Sequence, residues 1–270
     1  MGKNTHIQWC DSSQNPQMGC EGCELVKGKE VPTCYAKTLV DRYKGLRGWP
    51  ENFETPKIFL DRVPKMVAWS DLTGINRPDK PWLNGMPRLI FTNDMGDTFS
   101  SGMPRDWFAG VLPMISPSPH QYLVLTKWPH RFQDFNSRHP IPDNIWPGTT
   151  VTSERTLFRA NFLTFGKVRW LSIEPLWGKI DLSEYISGID WVIIGGESGK
   201  APTACKMDWI TDIIRQCLDA GVPVFVKQLG TVLSAELGLK DPAGGDWNEW
   251  PENIRIRMMP DLTKICNTGS

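Results

Sequence analysis

The sequence predicts an α/β protein organised as a single (β/α) barrel, full or partial. Its apolar runs are short and continuous, which is typical of strands buried on both faces of a parallel sheet. Helix-like segments separate several of these runs, and polar residues follow most of them. Roughly seven or eight such units fit a barrel better than a doubly wound sheet, although both architectures remain open at this point.

The predicted strands are rich in Val, Ile, Leu and Phe and cover residues 7–10, 89–92, 122–126, 148–152, 168–173, 191–194 and 222–226. The predicted helices cover residues 35–43, 105–114 and 208–220. The last helix is the clearest, because Trp209, Ile213 and Cys217 recur at helical spacing and Gly221 follows its end. We expect one domain over residues 1–270, with a loop at about residues 10–34 after the first strand and an irregular tail at about residues 230–270.

The composition excludes several classes of protein. The formal net charge is zero, with 30 basic and 30 acidic residues, so no global positive field indicates a polyanionic partner. No apolar run approaches the roughly 20 residues that a membrane helix needs, and residues 1–7 lack the apolar stretch of a signal peptide. We therefore expect a cytoplasmic protein without a membrane anchor, in which the 7 cysteines remain reduced.

Three cysteines are grouped in the loop after the first predicted strand: Cys20, Cys23 and Cys34. Cys10, at the end of that strand, is a candidate fourth ligand. A four-cysteine zinc site usually shows two close pairs, and the histidines that could replace cysteines are scattered, at His6, His120, His130 and His139. Zinc remains an alternative. Three cysteines can also hold a [4Fe-4S] cluster and leave one iron open for S-adenosylmethionine (SAM), as in radical SAM enzymes.

Polar residues follow the predicted strands at the positions where a barrel collects its functional groups. The carboxyl ends of parallel barrel strands meet at one mouth, so side chains from different strands can converge there. The residues in these positions are Asn93, Asp94, Lys127, Ser153, Glu154, Glu174, Gly195, Gly196, Glu197, Ser198, Lys227 and Gln228.

Several segments together resemble one family of proteins. They are Ile7-Gln8-Trp9, Asn15-Pro16, Gly19-Cys20, Cys34-Tyr35-Ala36, Leu125-Thr126-Lys127, Ile173-Glu174-Pro175-Leu176, the segment 191–199, Val226-Lys227-Gln228, Gly244-Gly245-Asp246 and Glu249-Trp250-Pro251. They resemble the phage and bacterial three-Cys-motif family, long catalogued as a domain of unknown function, whose members are regarded as atypical radical SAM proteins. The match runs from about residue 6 to residue 259. Many members have a long gap and then a close cysteine pair, whereas here the close pair comes first.

The resemblance implies a radical SAM-like barrel in which Cys20, Cys23 and Cys34 hold a [4Fe-4S] cluster and SAM is the second cofactor. By their position after the second strand, Asn93 and Asp94 are expected to bind the amino group of SAM. The remaining residues expected at the cofactor are Lys127 at its carboxylate, Ser153 and Glu154 at its ribose or carboxylate, and Gly195, Gly196, Glu197 and Gln228 at its other polar groups or at those of the substrate.

Four residues are expected to take part in catalysis. Lys127 would pair with SAM or with a glutamate, and Glu174 and Glu197 would bind an amine or accept a proton. Cys205 lies in a predicted loop and would donate a hydrogen atom to a radical.

The family context leads to an expected reaction. Phages modify bases to resist host nucleases, so we expect an isomerase that rearranges an amino-acid-modified thymidine in phage DNA inside the infected bacterial host. The expected partners are this DNA and an electron donor such as flavodoxin or ferredoxin. Two alternatives remain, namely a radical SAM enzyme acting on a small molecule or protein, and a zinc-stabilised binding protein.

Overall fold

A computed structural model describes residues 2–27 and 32–265. The strands are β1 (Ser12–Gln14), β2 (Gln17–Met18), β3 (Lys57–Ile58), β4 (Leu89–Thr92), β5 (Gln121–Thr126), β6 (Ile145–Thr150), β7 (Trp170–Ile173), β8 (Trp191–Gly195) and β9 (Val224–Gln228). The α-helices are α1 (Tyr35–Tyr43), α2 (Val63–Val67), α3 (Leu112–Ile115), α4 (Pro129–Arg138), α5 (Glu154–Leu157), α6 (Met207–Asp219), α7 (Thr231–Glu236) and α8 (Leu262–Ile265). The protein is therefore a mixed α/β protein, as predicted.

Seven strands follow one another along a sheet in the order β1-β4-β5-β6-β7-β8-β9, so each strand neighbours the next one along the chain. The pairs β1–β4, β4–β5, β7–β8 and β8–β9 are parallel. A doubly wound sheet reverses its strand order at a switch point, and this order contains no reversal. The strand order is compatible with a partial (β/α) barrel.

The first strand of the sheet is β1, and the prediction of a strand at residues 7–10 was wrong. The residues of β1 are polar, yet Ser12 and Ser13 are buried. The Ser12 hydroxyl donates to the Lys3 carbonyl at 2.6 Å, and the Arg88 guanidinium donates to that hydroxyl at 2.9 Å. Because these bonds satisfy the buried Ser12 hydroxyl, a polar segment can form a buried strand, which a pattern of apolar residues cannot reveal.

The first compact unit of the chain is Met1–Gly148. It contains β1, β4 and β5, the antiparallel pair β2–β3 and helices α1 to α4. The predicted helix at residues 35–43 is confirmed, whereas the predicted helix at 105–114 is a 3₁₀ turn at Trp107–Gly110 followed by α3. One apolar cluster packs Met18, Val40, Phe53 and Met95 around Cys20. This cluster is the support on which the cysteine loop lies.

The second compact unit is Thr149–Ser270, described here as far as residue 265. Strands β7, β8 and β9 are parallel neighbours, and α6 buries Ile210, Ile213, Ile214 and Cys217 in the unit's core. The predicted helix at residues 208–220 is thus confirmed. The predicted irregular tail contains α7, and it returns to β9, where the backbone N–H of Val226 donates to the Ile256 carbonyl at 2.9 Å.

The chain divides into two compact units, and the expectation that residues 1–270 form one domain stays a prediction. Within the described ranges, no helix is both long enough and apolar enough to traverse a bilayer.

Candidate functional site

The segment that carries Cys20 is held by backbone hydrogen bonds. The N–H of Gly19 donates to the Met95 carbonyl at 2.8 Å, and the N–H of Cys20 donates to the Phe53 carbonyl at 2.9 Å. Gly19 has a φ of 83°, and a Cβ atom there would lie 2.6 Å from the Phe53 oxygen. Only glycine fits both the backbone conformation and this close approach. The backbone therefore fixes where the Cys20 side chain begins.

The three predicted ligands Cys20, Cys23 and Cys34 lie close enough together for their thiols to affect one another's pKa. Burial raises the pKa of Cys20 to about 12, and the nearby Asp97 carboxylate and the other two thiols contribute to the rise. Burial also raises the pKa of Cys23, against the opposing effect of the Lys127 ammonium and with a further rise from Cys34. The thiols of Cys20 and Cys23 are thus held in their neutral forms unless a cation compensates their negative charge.

The donor set fits a thiophilic metal centre, because three sulfur atoms are the ligands preferred by zinc and by iron-sulfur clusters. In the part of the chain that is described, no group of three or more Cys, His, Asp or Glu side chains has a ready-made metal-binding geometry. Among the described residues, the three thiols lie near one another but do not form a preformed metal site. Residues 28–31, between Cys23 and Cys34, lie outside the described ranges.

Cys10 does not belong to this group of thiols. Its side chain is fully buried, and burial raises its pKa. The charged groups with the largest effects on its pKa are Lys80, Asp94 and Asp11. The candidate fourth ligand is therefore part of the packing around β1.

Lys127 lies directly after β5 and beside the cysteine group. Burial lowers its pKa, but nearby negative groups, with Cys23 and Asp97 foremost, outweigh burial and raise the pKa overall. Its backbone N–H donates to Asp97, while its ammonium makes no hydrogen bond or ion pair with the described residues. The structure thus places a positive charge without a hydrogen-bonding partner next to Cys23 and Cys34.

Asp97, which the sequence analysis missed, connects the loop after β4 to the end of β5 by hydrogen bonds. Its carboxylate is buried and accepts hydrogen bonds from the Thr126 hydroxyl at 2.6 Å, the Lys127 backbone at 2.8 Å and the Phe99 backbone at 3.0 Å. Burial raises the pKa of Asp97. Its only signal in the sequence was its position in the polar segment after β4.

Asn93 and Asp94, predicted at the amino group of SAM, differ in their surroundings. Asn93 is buried, and both ends of its side-chain amide are engaged, by the Gln17 backbone at 2.8 Å and the Thr98 hydroxyl at 2.8 Å. Asp94 is partly buried and accepts from the Asn15 side chain at 2.5 Å. Burial raises the pKa of Asp94. Asn93 shapes the loop, and Asp94 is the better candidate to contact a ligand.

Tyr35 connects this loop to the helix that follows Cys34. Its hydroxyl donates to the Asp94 carbonyl at 2.6 Å, and 52% of the residue is exposed. Tyr35 therefore joins the Cys34 end of the cysteine loop to the loop after β4.

In the second unit, Glu174 forms an ion pair with Lys227. The side chains of Glu174 and Lys227 are 18% and 23% exposed. A Cβ atom at Gly195 would lie 3.1 Å from the Glu174 side chain. A larger residue at position 195 would therefore displace this carboxylate.

Glu197, also predicted as a site residue, is 5% exposed. Its carboxylate accepts from the Trp177 indole at 3.0 Å and from the Thr203 backbone at 2.7 Å. The neighbouring Gly196 has a packing role, because a Cβ atom there would lie 2.0 Å from the Leu229 oxygen. Gln228 donates to the Gly196 carbonyl at 2.9 Å. Close packing, against the Glu174 side chain at Gly195 and against backbone at Gly196, therefore accounts for the two glycines, whose composition resembles a SAM-binding element.

A comparison with family models identifies the chain. A model described as a protein of unknown function, DUF5131, matches residues 4–256. The chain belongs to the DUF5131 family. A search of the curated proteins found no match, and a search of the solved structures found none. The link from the DUF5131 family to three-Cys-motif and radical SAM proteins remains a prediction.

The remaining predicted site residues of this DUF5131 protein lie in its second unit. Ser153 caps α5 in a capping box with Thr156, and the Glu154 carboxylate accepts from the Asp181 backbone at 3.1 Å. Cys205 is 2% exposed in the core, and burial raises its pKa to about 12. These contacts assign structural roles, and the predicted roles in SAM binding and hydrogen transfer stay predictions.

Proposed function

We propose that this DUF5131 protein is a radical SAM enzyme whose [4Fe-4S] cluster is held by Cys20, Cys23 and Cys34. The observation that carries the proposal is the grouping of three thiols beside the ammonium of Lys127. Three protein sulfurs match a cluster with one iron not ligated by the protein, whereas a structural zinc site needs four ligands. When bound, such a cluster supplies an iron that coordinates SAM and an electron that cleaves its sulfonium to the 5'-deoxyadenosyl radical.

Metal binding by Cys20 and Cys23 must displace their protons, because burial raises the pKa of both thiols. In the free protein these thiols keep their protons, and a bound metal centre replaces the protons with positive charge. The apolar cluster beneath Cys20 excludes water from one side of the group. The chain therefore supplies a partly desolvated, sulfur-rich environment.

Lys127 is proposed to bind the carboxylate of SAM. Its ammonium makes no ion pair or hydrogen bond with the described residues and lies near the cysteines, where the methionine end of SAM must bind. Asp97 fixes the backbone of Lys127 and so orients the start of its side chain. Asp94, held by Asn15, is proposed to bind the SAM amino group.

Two carboxylates are proposed to bind the substrate. Glu174, paired with Lys227, and Glu197, held by Trp177, are carboxylates in fixed positions. The proposed substrate is an amino-acid-modified thymidine of phage DNA, whose amine could exchange for Lys227 at Glu174. The choice of this substrate rests on the resemblance, and the carboxylates are compatible with its amine.

The first experiment is anaerobic purification with measurement of iron, sulfide and zinc. We expect about four iron and four sulfide per chain, a broad visible absorbance, and release of 5'-deoxyadenosine from SAM after reduction. Cys20→Ala, Cys23→Ala and Cys34→Ala should lose all three signals, while Cys217→Ala, in α6, should keep them. Zinc without iron would instead indicate the zinc-stabilised binding protein.

The second experiment tests the substrate. Modified phage DNA is incubated with the reduced enzyme and SAM, and its nucleosides are analysed by mass spectrometry and chromatography. We expect a modified thymidine of unchanged mass and changed retention time, because an isomerisation conserves composition. An unchanged nucleoside profile from an enzyme that cleaves SAM would favour a small-molecule or protein substrate.

A further inference from the structure

We propose that a charged cavity in the first unit binds the backbone phosphates of a polynucleotide strand. The cavity has a volume of about 390 Å³ and is lined by Ser101, Arg105, His130, Arg131 and Asp134. The inference rests on the proposed function, because it names where a nucleic-acid substrate of that enzyme would be held. It adds a site that neither the cysteines nor the predicted SAM residues include.

Two guanidinium groups in the cavity have no carboxylate partner among the described residues. The Arg131 guanidinium donates to the Ser100 carbonyl and, at 2.9 Å, to the Met103 carbonyl, which fixes its orientation. Arg105 makes no hydrogen bond or ion pair within the described ranges. The one acidic lining residue, Asp134, is paired with Arg138 at 2.8 Å. The cavity therefore keeps an excess of positive charge that suits an anion.

The helix that borders the cavity adds to this charge. Helix α4 begins at Pro129, so His130 and Arg131 belong to its first turn, and Asp134 lies one turn further on. The N-terminus of a helix carries a partial positive charge and favours a bound phosphate. The guanidinium groups and the N-terminus of α4 thus both contribute positive charge to the cavity.

The lining favours phosphate over a base as the group recognised. The lining residues include no Phe, Tyr or Trp on which a base could stack, and all are polar or charged. Contacts to phosphates position a nucleic acid without reading its sequence, and arginine is well suited to make them. Because the whole chain has no net charge, a polyanion would need such a local positive surface.

The cavity is connected to the cysteine loop by one hydrogen bond. The Ser101 hydroxyl donates to the carboxylate of Glu21, which lies between Cys20 and Cys23. A Cβ atom at Gly102 would lie 2.5 Å from that carboxylate, so the two segments are in close contact. A strand whose phosphates bind in the cavity would therefore run beside the proposed cluster site.

The test is fluorescence anisotropy of a labelled single-stranded oligothymidylate over a series of salt concentrations. Arg105→Gln should weaken binding about threefold to tenfold and reduce the salt dependence by about 0.7 for each lost phosphate contact. Arg131→Gln should act in the same direction. Since Arg105 has no hydrogen bond or ion pair to lose within the described ranges, its variant keeps the test valid if the Arg131 variant unfolds.

The control is Arg215→Gln, which removes the same charge from α6, where Arg215 is paired with Asp212 and Asp219. It should bind like the wild type. The proposal would be overturned by wild-type binding in Arg105→Gln, by an equal loss in Arg215→Gln, or by the absence of oligonucleotide binding to the wild type. Thymidine monophosphate is the second probe: arginine-dependent binding of it without oligonucleotide binding would point to a free nucleotide and also overturn the proposal.

Iron content and deoxyadenosine release are measured on the same samples. Arg215→Gln should leave both at the wild-type level, because Arg215 lies in α6 and is paired there with Asp212 and Asp219. Failure of these two measurements in the wild type would count against radical SAM chemistry. Failure of oligonucleotide binding alone would count against the phosphate site.

Discussion

The Asp97 carboxylate accepts a hydrogen bond from the Lys127 backbone N–H at 2.8 Å, across 30 residues of sequence. The same carboxylate accepts from Thr126 and Phe99, so it joins the loop after β4 to the end of β5. Lys127 is thereby held beside Cys23, and Asp97 also acts on the pKa of Cys20. One buried carboxylate thus links the proposed cluster ligands to the proposed SAM-binding cation.

Asp97→Asn should destabilise the protein by roughly 2 kcal/mol. The two carboxylate oxygens of Asp97 accept three hydrogen bonds, and the NH₂ group of asparagine would replace one of these oxygens with a donor that faces another donor. Urea denaturation measures this change in the free energy of unfolding. Asp106→Asn is the matched control, since Asp106 is exposed and its pairs with Arg138 and His139 lie at the surface. It should change stability by less than about 0.5 kcal/mol. Equal effects of the two variants would show that Asp97 has no special role.

Lys127→Met should keep its iron and lose affinity for SAM, because the variant removes the proposed partner of the SAM carboxylate. The loss of one charge-assisted hydrogen bond corresponds to about a tenfold to hundredfold increase in Kd. Equilibrium SAM binding measures it, with iron content and visible absorbance as the second readout. Lys127→Arg should recover part of the affinity. Normal SAM binding by Lys127→Met would refute this role.

Gly19→Ala should destabilise the protein more than Gly85→Ala. Both glycines have a positive φ, 83° and 81°, but a Cβ atom at Gly85 meets nothing within 4 Å. The control therefore reports the conformational cost alone, about 1–2 kcal/mol, and the contact with Phe53 should add about 1–3 kcal/mol at Gly19. Denaturation and iron content are measured together, and Gly19→Ala should also lose iron. Identical losses of stability in the two variants would contradict the close packing.

Stability should fall in acid partly through His120. This side chain is fully buried, and burial, with a smaller effect of Arg88, lowers its pKa below the ordinary value of 6.5. The unfolded chain therefore binds a proton more readily than the folded chain, so stability is lost as the pH falls below about 6.5. His120→Phe should reduce this loss. The measurement is urea denaturation at about pH 5 and pH 7.5, and an unchanged pH difference in the variant would exclude His120 as a cause.

Glu174 and Lys227 should be energetically coupled. A double-mutant cycle of Glu174→Gln and Lys227→Met, followed by chemical denaturation, should give a coupling energy of about 1 kcal/mol. This value lies at the upper end of the range for surface pairs, because both side chains are largely shielded from water. Additive effects of the two substitutions would show that the ion pair contributes nothing to the native state.

Sequence patterns predicted a strand or helix correctly where the element's own residues specify it. The continuous apolar run 89–92 forms β4, because a strand buried on both faces needs apolar residues at every position. The periodic segment 208–220 forms α6, because a helix buried on one face needs apolar residues at helical spacing. The polar strand β1 has no such apolar run, and its buried Ser12 hydroxyl is satisfied by Lys3 and Arg88. Asp97 was missed because two of its partners, Thr126 and Lys127, are distant in the sequence.

The sequence by itself determined that this is an α/β protein with three cysteines in one N-terminal segment and polar residues at the ends of its inner strands. Only the tertiary structure decided which of those polar residues are committed to packing, as Asn93 and Glu197 are, and which makes no hydrogen bond or ion pair with the described residues, as is true of the Lys127 ammonium. The physical reason is that the environment of a polar side chain depends on groups brought near it by folding. Its neighbours along the chain do not specify those groups.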